Sequence, residues 1–244
     1  MKEWYKEWFA SEEYLEVYLH RNSDDAKKLV SLILDTSKLA YGSTILDAAC
    51  GAGRHSGIFA SLGYKVTGFD LSKTLLQVAG AEAKQKALNI NYACGDLRKV
   101  FFNYKFDLIV NLFTSFGYFD SDEDNFSFLK NSIKILNDNG SYVLDYLNEK
   151  FLRLNLIGTS VKKLNDKSIL ESRRIINDRV EKEITIANKF SERKYVESVK
   201  LYSKQKIEFE MTKAGYKCFR IYGNYDSSDF DENYSSRLIM FFSK

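Results

Sequence analysis

The sequence has no proline among its 244 residues and contains only three cysteines and two histidines. Without proline, its loops must be punctuated by Gly, Asn, Asp and Ser. Cys50, Cys94 and Cys218 lie far apart and form no C-x-x-C pair, which argues against a disulfide framework or a zinc site and fits a reducing cytosol. Two histidines do not support a His-rich site either, so we expect no metal.

Long apolar runs are also missing. The N-terminal stretch is aromatic and charged and lacks the uninterrupted apolar segment of a signal peptide. No run elsewhere is long enough to cross a bilayer. We therefore expect a cytoplasmic protein with no membrane partner.

Charge is unevenly distributed along the chain, whose net charge is +3. Residues 1–150 carry 17 Lys and Arg against 20 Asp and Glu, whereas residues 151–244 carry 19 against 13. A basic C-terminal part is compatible with an acidic substrate or nucleic acid. A solvated face of Lys and Arg is the favoured interpretation.

Short apolar runs alternate with helical patterns from residue 43 to residue 147. Right-handed crossovers make such an alternation an α/β fold with a doubly wound parallel sheet. The third helix of this region is predicted to end at Asn139-Gly140, and the second is predicted to begin at Ser72. The five predicted strands are STILDAA, YKVTGFD, INYACGD, KFDLIVNLF and SYVLDYL.

The flanking regions follow other patterns. Residues 2–20 have aromatic side chains at helical spacing, and a further helix is expected from a cap at Asn22 or Ser23 to Leu39. After residue 160, two β-like runs are separated by Asn177-Asp178, which predicts a hairpin. A helix ending at Gly215 and two antiparallel strands complete the chain.

These patterns divide the chain into four predicted regions. They are an N-terminal helical lid (1–40), a cofactor-binding core (41–150), an antiparallel β insert that we associate with substrate or dimer contacts (151–202), and the completion of the core sheet (203–244).

The stretch ILDAACGAGRH (residues 45–55) ends a strand in a carboxylate and then forms a glycine-X-glycine turn. In a doubly wound sheet, ligands bind outside the carboxyl ends of the strands. A dehydrogenase fingerprint would need a third glycine where Ser56 stands, although Gly57 satisfies a looser spacing. Asp70, 17 residues after Gly53, suits the ribose of either a dinucleotide or another nucleoside.

Two acids favour a ligand other than a dinucleotide. Asp47 would repel a pyrophosphate but would suit a cationic α-amino group. Asp96 can accept a hydrogen bond from the exocyclic amine of adenine. Tyr146 and Lys150 form a Y-x-x-x-K spacing, but at a strand end, which we interpret as coincidence. An NAD(P)-dependent reductase therefore remains the alternative.

The stretch ILDAACGAGRHSGIFASLGYKVTGFDLS resembles the first two motifs of the class I S-adenosylmethionine-dependent methyltransferases, and in particular a small bacterial branch with L-D-x-x-C-G-x-G-R-H. CGDLRKV, FDLIVNLFTSFGYF and YVLDYLNEKF are similar to the later motifs, in order. The resemblance covers most of the chain and is weakest over residues 155–195. It implies a seven-stranded sheet in the order 3-2-1-4-5-7-6, with the last strand antiparallel.

The resemblance also implies that the cofactor is S-adenosyl-L-methionine and which residues hold its methionine end. Asp47, Gly51 and Gly53 are expected there, with the backbone of Ala49 nearby. Arg54 either reaches the methionine carboxylate or is a solvated residue at the start of a helix.

The nucleoside end is assigned in the same way. Asp70 is expected to bind both ribose hydroxyls, with Leu71 against adenine. Asp96 is expected to accept from the adenine amine, with Leu97 on the other ring face. Without a ligand, Asp70 would only cap a helix and Asp96 would be a turn residue.

The mouth for methyl transfer is expected at Asn111 and the loop through Phe113. Enzymes of the family that methylate base amines carry a D/N-P-P-Y/F turn there, and this chain has Asn-Leu-Phe-Thr instead, so we do not expect that acceptor. Candidate residues of the substrate pocket, some of which core packing would also explain, are Tyr14, Tyr18, Phe116, Tyr118, Tyr146 and Asn148.

The sequence therefore predicts an S-adenosylmethionine-dependent methyltransferase with a small-molecule acceptor, as a monomer or homodimer. Because the sulfonium is a good leaving group, alignment can suffice, and no catalytic residue is assigned. The alternatives are the reductase, a non-catalytic nucleotide-binding module, and a methyltransferase acting on RNA or protein. The last would use basic residues of the insert, which could equally face solvent or a second copy: Lys162, Lys163, Arg173, Arg174 and Arg179.

Overall fold

The structure is a computed structural model and describes residues 3–18, 23–100 and 102–244. Its strands are β1 (Thr44–Ala48), β2 (Lys65–Asp70), β3 (Ile90–Cys94), β4 (Phe106–Asn111), β5 (Leu136–Leu147), β6 (Thr159–Leu164), β7 (Lys167–Ile176), β8 (Arg179–Ala187), β9 (Glu192–Lys200), β10 (Lys217–Tyr222) and β11 (Arg237–Ser243). Its α-helices are α1 (Trp4–Trp8), α2 (Glu12–Tyr18), α3 (Ser23–Ser37), α4 (Arg54–Ser61), α5 (Lys73–Gln85), α6 (Asp122–Ser132), α7 (Glu149–Asn155) and α8 (Lys204–Lys213).

Seven strands form one sheet in the order β10-β11-β5-β4-β1-β2-β3. The first five strands pair in parallel, while β11 runs antiparallel to both β5 and β10. Numbered among the core strands alone, this order is 3-2-1-4-5-7-6, which confirms the predicted fold class. Consecutive residues of β4, such as Leu108 and Ile109, enter separate hydrophobic clusters. Both faces of the sheet are therefore buried, as a parallel sheet requires.

One predicted helix end was wrong. Helix α6 stops at Ser132, and β5 already begins at Leu136, so Asn139-Gly140 lies within the strand region. Phe106 pairs with Leu136, but Leu108 pairs with Ser141, so the residues between form a bulge. Leu136 is fully buried, and its pairing with β4 outweighs the turn tendency of the polar residues that follow.

The antiparallel insert is a separate four-stranded sheet in the order β6-β7-β8-β9. Asn177 and Asp178 link β7 to β8 with φ angles of 47° and 59°, as a type I′ turn requires, which confirms the predicted hairpin. The sequence indicated only its two central strands. The outer strands β6 and β9 were missed because charged residues interrupt their apolar alternation.

The N-terminal helices pack on the insert through a third hydrophobic cluster, which includes Trp8, Val17 and Ile184. The helical spacing over residues 2–20 corresponds to two short helices, α1 and α2. The predicted cap of α3 cannot be assessed, because Asn22 and the side chain of Ser23 lie outside the described residues. Within the described ranges, none of the helices is long and apolar enough to cross a membrane.

Candidate functional site

A cavity of about 1060 Å³ lies at the carboxyl ends of the parallel strands. Residues of the core line this cavity, and so do residues of α1, α2, β7, β8 and β9. The structure places every predicted cofactor position on its lining, namely Asp47, Ala49, Gly51, Gly53, Arg54, Asp70, Leu71, Asp96, Leu97, Asn111 and Phe113.

Asp47 is the buried acid of the site. Its side chain is 1% exposed and accepts a hydrogen bond of 2.6 Å from the Ser56 hydroxyl. Burial raises the pKa of this carboxyl to about 6, although the bond from Ser56 favours the charged form. A buried carboxylate with one short hydrogen bond has the capacity to bind a cation beside the glycine turn.

Asp70 connects the two loops that follow β1 and β2. Its carboxylate accepts from the backbone N–H of Gly51 and from that of Ser72, both at 2.8 Å. Burial raises its pKa, while these two bonds act in the opposite direction. The helix-start role is therefore real, and each oxygen keeps a lone pair for a ligand hydroxyl.

The turn after β1 requires glycine at residue 53. Gly53 has a φ of 77°, and a Cβ there would lie 2.3 Å from the Tyr92 hydroxyl oxygen and 2.9 Å from Cβ of Ala79. The close approach lets α4 begin directly at the cavity, with its first backbone N–H groups near the strand ends. Tyr92 was not predicted as part of the site, and no local pattern marks it.

Asp96 lines the cavity and also pairs with an arginine. It accepts from the backbone N–H of Arg98 at 2.9 Å and from the Arg98 guanidinium at 2.6 Å. Partial burial raises the pKa of Asp96, but the bonds from Arg98 outweigh it and lower the pKa below the ordinary value. Asp96 therefore stabilises its own turn, as expected of a turn residue. A bound adenine amine would share this carboxylate with Arg98.

The loop after β4 is held in a strained conformation. Asn111 donates to the carbonyl of Ala48 at 2.9 Å, and then Phe113 and Thr114 adopt φ angles of 56° and 65°. Consecutive non-glycine residues in this region are uncommon and need support from their surroundings. The ring of Phe113 lies 4.8 Å from the Arg54 guanidinium, which places Arg54 against an aromatic face.

That support comes from residues that the sequence reasoning missed. Asp145, on β5 and fully buried, accepts from the backbone N–H of Phe113 at 3.0 Å and from the Tyr225 hydroxyl at 3.0 Å. Arg237 pairs with Asp145 at 2.7 Å and donates to the Thr114 hydroxyl at 3.1 Å. Asp145, the acidic residue in the run YVLDYL, could have been noticed in the sequence. No local pattern indicates its partners Tyr225 and Arg237.

Four of the six predicted substrate-pocket residues line the cavity: Tyr14, Tyr18, Phe116 and Tyr118. The other two, Tyr146 and Asn148, are not among the described residues that line the cavity. Tyr146 is fully buried and donates to the carbonyl of Lys200. Asn148 caps α7 and donates to the carbonyls of Glu232 and Ser235, so it braces the loop before β11.

The basic residues of the insert are mostly engaged within the protein. Arg173 pairs with Glu171, and Arg174 pairs with Glu181 at 3.1 Å. Arg179 is buried and donates to backbone carbonyls, so neither the phosphate-binding nor the solvent-facing interpretation holds for it.

Beside these pairs, Lys182 and Glu197 line the cavity and pair at 2.6 Å. Glu197 also accepts from the Trp8 indole at 2.7 Å and from the Tyr18 hydroxyl at 2.5 Å. Burial raises the pKa of Glu197, but Lys182 and these donors lower it below the ordinary value. No cluster of three potential metal ligands occurs in the described ranges.

Several known proteins are similar to this chain in sequence or in fold. Residues 45–140 match the family model described as "Methyltransferase domain". The chain is 32% identical over 111 residues to the ubiquinone biosynthesis O-methyltransferase of Coxiella burnetii, covering 45% of this chain and 46% of that protein. It is 30% identical over 108 residues to the dTDP-3-amino-3,4,6-trideoxy-alpha-D-glucopyranose N,N-dimethyltransferase of Streptomyces venezuelae, covering 44% of each. The match thus spans less than half the length of these curated relatives.

Among solved structures, an S-adenosylmethionine-dependent methyltransferase from Clostridium acetobutylicum superposes with a TM-score of 0.83 at 19% identity. That superposition covers 95% of this chain and 97% of the other. Residues 45–140 are therefore similar to a methyltransferase domain, and the chain shares the fold of the Clostridium acetobutylicum protein.

Proposed function

We propose that this protein is an S-adenosylmethionine-dependent methyltransferase that acts on a small-molecule acceptor. The observation that carries the proposal is the buried carboxylate of Asp47 beside the glycine turn. A dinucleotide would bring its pyrophosphate to that turn, where a carboxylate repels it. The cationic amino group of a methionine moiety pairs with it instead.

The residues around Asp47 fit the remainder of the cofactor. Asp70 has lone pairs for two ribose hydroxyls, and the half-buried side chains of Leu71 and Leu97 offer apolar contact to a purine. The cavity of about 1060 Å³ is large enough for a nucleoside cofactor together with a small acceptor.

The reaction requires little of the protein beyond the alignment of the acceptor with the methyl group. S-adenosylmethionine supplies a methyl group bound to a positively charged sulfur, which leaves in an in-line displacement. Asn111 and Phe113, fixed by Ala48 and Asp145, define the rim of the cavity at the strand ends. Aromatic side chains such as Tyr118 line the same cavity and would limit the access of water to a bound acceptor.

The aromatic lining of the cavity favours a small acceptor over RNA. Arg173 and Arg174 pair with carboxylates of their own sheet, and Arg179 is buried, which leaves no arginine-rich surface among these residues for a phosphate backbone. The matched relatives named above are small-molecule methyltransferases by name, one of them for an oxygen and one for a nitrogen. We leave the accepting atom open.

The first experiment is a calorimetric titration of the protein with S-adenosylhomocysteine, after a denatured sample has been checked for bound cofactor. We expect micromolar affinity, about −8 kcal/mol, and no binding of NADH or NADPH. Nicotinamide binding with no thioether binding to the empty protein would overturn the proposal.

Asp70→Asn provides the residue-level test. The amide keeps one acceptor oxygen, so one of the two backbone bonds survives, but ribose binding loses a charged acceptor. We expect about tenfold weaker S-adenosylhomocysteine binding. Asp138→Asn, in the bulge at the opposite end of β5, is the matched control and should bind as the wild type does. Equal affinity of both variants would remove Asp70 from the cofactor site.

A further inference from the structure

Arg179 is a buried cation that contacts backbone rather than an acid. It is 7% exposed, and in the described part of the chain no carboxylate pairs with it. Its Nε donates to the Ser198 hydroxyl at 2.8 Å, and Nη2 donates to the Ser198 carbonyl at 3.0 Å. The remaining bonds reach the carbonyls of Phe119 at 3.0 Å, Tyr118 at 3.2 Å and Gly117 at 3.3 Å.

These last three bonds converge on one segment, residues 117–119, which we call the wall loop because all three residues line the cavity. The loop is joined to the insert at a second point, since the backbone N–H of Lys200 donates to the Gly117 carbonyl at 2.7 Å. Gly117 has a φ of 93°, and a Cβ there would lie 2.7 Å from the Lys200 carbonyl oxygen. The wall loop and the antiparallel sheet therefore meet too closely for a side chain to intervene.

The wall loop in turn contacts α1, which also packs on the insert through Trp8. The ring of Tyr118 lies 5.1 Å from that of Trp4, and the ring of Phe119 lies 5.6 Å from that of Tyr5. The Arg98 guanidinium, which holds Asp96, lies 4.3 Å from the centre of the Phe119 ring. One segment thus touches the N-terminal helix and the arginine beside the predicted adenine site.

We propose that Arg179 is a positioning residue that fixes the wall loop, and through it docks α1 over the cofactor end of the cavity. The planar guanidinium suits this task because its five donors diverge in a fixed fork, which a lysine ammonium cannot reproduce. The arginine lies directly after the Asn177-Asp178 turn, so the hairpin places it rigidly. The effect on cofactor binding rests on the proposed function, whereas the docking of α1 does not.

Tryptophan fluorescence provides a direct test, since the only two tryptophans of the sequence, Trp4 and Trp8, both lie on α1. Arg179→Lys and Arg179→Met are compared with the wild type by acrylamide quenching and by titration with S-adenosylhomocysteine. We expect the quenching constant to rise about twofold and the affinity to fall about tenfold in both variants. Arg174→Met, an exposed arginine on the same hairpin, is the control and should change neither.

Unchanged quenching and unchanged affinity in the Arg179 variants would overturn the inference, even if their melting temperatures fell. If Arg179→Met does not fold, Ser198→Ala replaces it, since it removes only the acceptor for Nε. It should shift quenching in the same direction by a smaller factor, and wild-type quenching would count against the inference. Failure of the wild type to bind S-adenosylhomocysteine would contradict the proposed function, and the quenching comparison would still decide the role of Arg179.

Discussion

At the scale of single residues, Asp47 shows how burial prepares a group for a ligand. The chain removes this carboxylate from water and gives it a short hydrogen bond from the Ser56 hydroxyl. Its pKa of about 6 lies above the ordinary value of about 3.9. Burial therefore makes the charged form of this group costly unless a cation lies beside it.

Asp47 should make the stability of the empty protein depend on pH. Because the folded-state pKa is raised, the folded chain binds the proton more tightly, so the stabilising contribution is full below pH about 4 and is lost as the pH rises through 6. Asp47→Asn removes this dependence. The free energy of unfolding of the variant should gain about 2 kcal/mol relative to wild type between pH 4 and pH 7.

Urea unfolding at several pH values measures that gain, with Asp35→Asn, an exposed position on α3, as the control. A difference between Asp47→Asn and wild type that stayed constant with pH would contradict the raised pKa. In the cofactor titration, wild-type affinity should rise about tenfold from pH 5 to pH 7, as the carboxylate ionises.

At the scale of elements, local patterns predicted the core strands well because several of them, such as β1 and β4, are short runs of mostly buried residues. They also placed Asp70 and Asn111 at strand ends, where the topology brings them to one cavity. The sequence could not predict the roles of Arg179 and Arg237, because the partners Phe119 and Asp145 lie some 60 and 90 residues away and are brought near only by tertiary packing. The bulge at the start of β5 was not predicted either, because it too depends on pairing with a distant part of the chain.

Helix α5 offers a prediction about helix stability. Gly80 lies in its interior, and a Cβ there would meet no atom within 4 Å. Gly80→Ala should therefore raise the free energy of unfolding by about 0.5–1 kcal/mol, since alanine restricts the unfolded chain and favours the helix. Gly53→Ala should instead lower it, because its φ is positive and Tyr92 is too close. Thermal unfolding of both variants checks the contrast, and a Gly80→Ala variant less stable than wild type would refute it.

At the scale of the whole molecule, the C-terminal strands complete the site that the N-terminal half begins. Strand β11 enters between β5 and β10, which brings Arg237 to Asp145 and to Thr114 in the loop after β4. Tyr225, from the segment between β10 and β11, donates to the same carboxylate. The strained loop at the rim of the cavity therefore depends on residues more than 100 positions later in the sequence.

Arg237→Met should accordingly be costly to the whole fold. The substitution leaves Asp145, which is fully buried, without its cationic partner, and removing one partner of a buried pair typically costs about 3–5 kcal/mol. Arg220→Met is the matched control on the neighbouring strand β10, because Arg220 pairs with the exposed Asp229 at the surface. Its cost should be at most about 1 kcal/mol.

Urea unfolding followed by circular dichroism measures both costs. The double variant Asp145→Asn, Arg237→Met should recover part of the stability lost in Arg237→Met, because the unpaired charge is then absent. Similar losses in Arg237→Met and Arg220→Met would show that the Asp145 pair does not hold the two halves together. A loss confined to Arg237→Met, with partial recovery in the double variant, would show that the rim loop and the C-terminal strands are coupled through one buried charge pair.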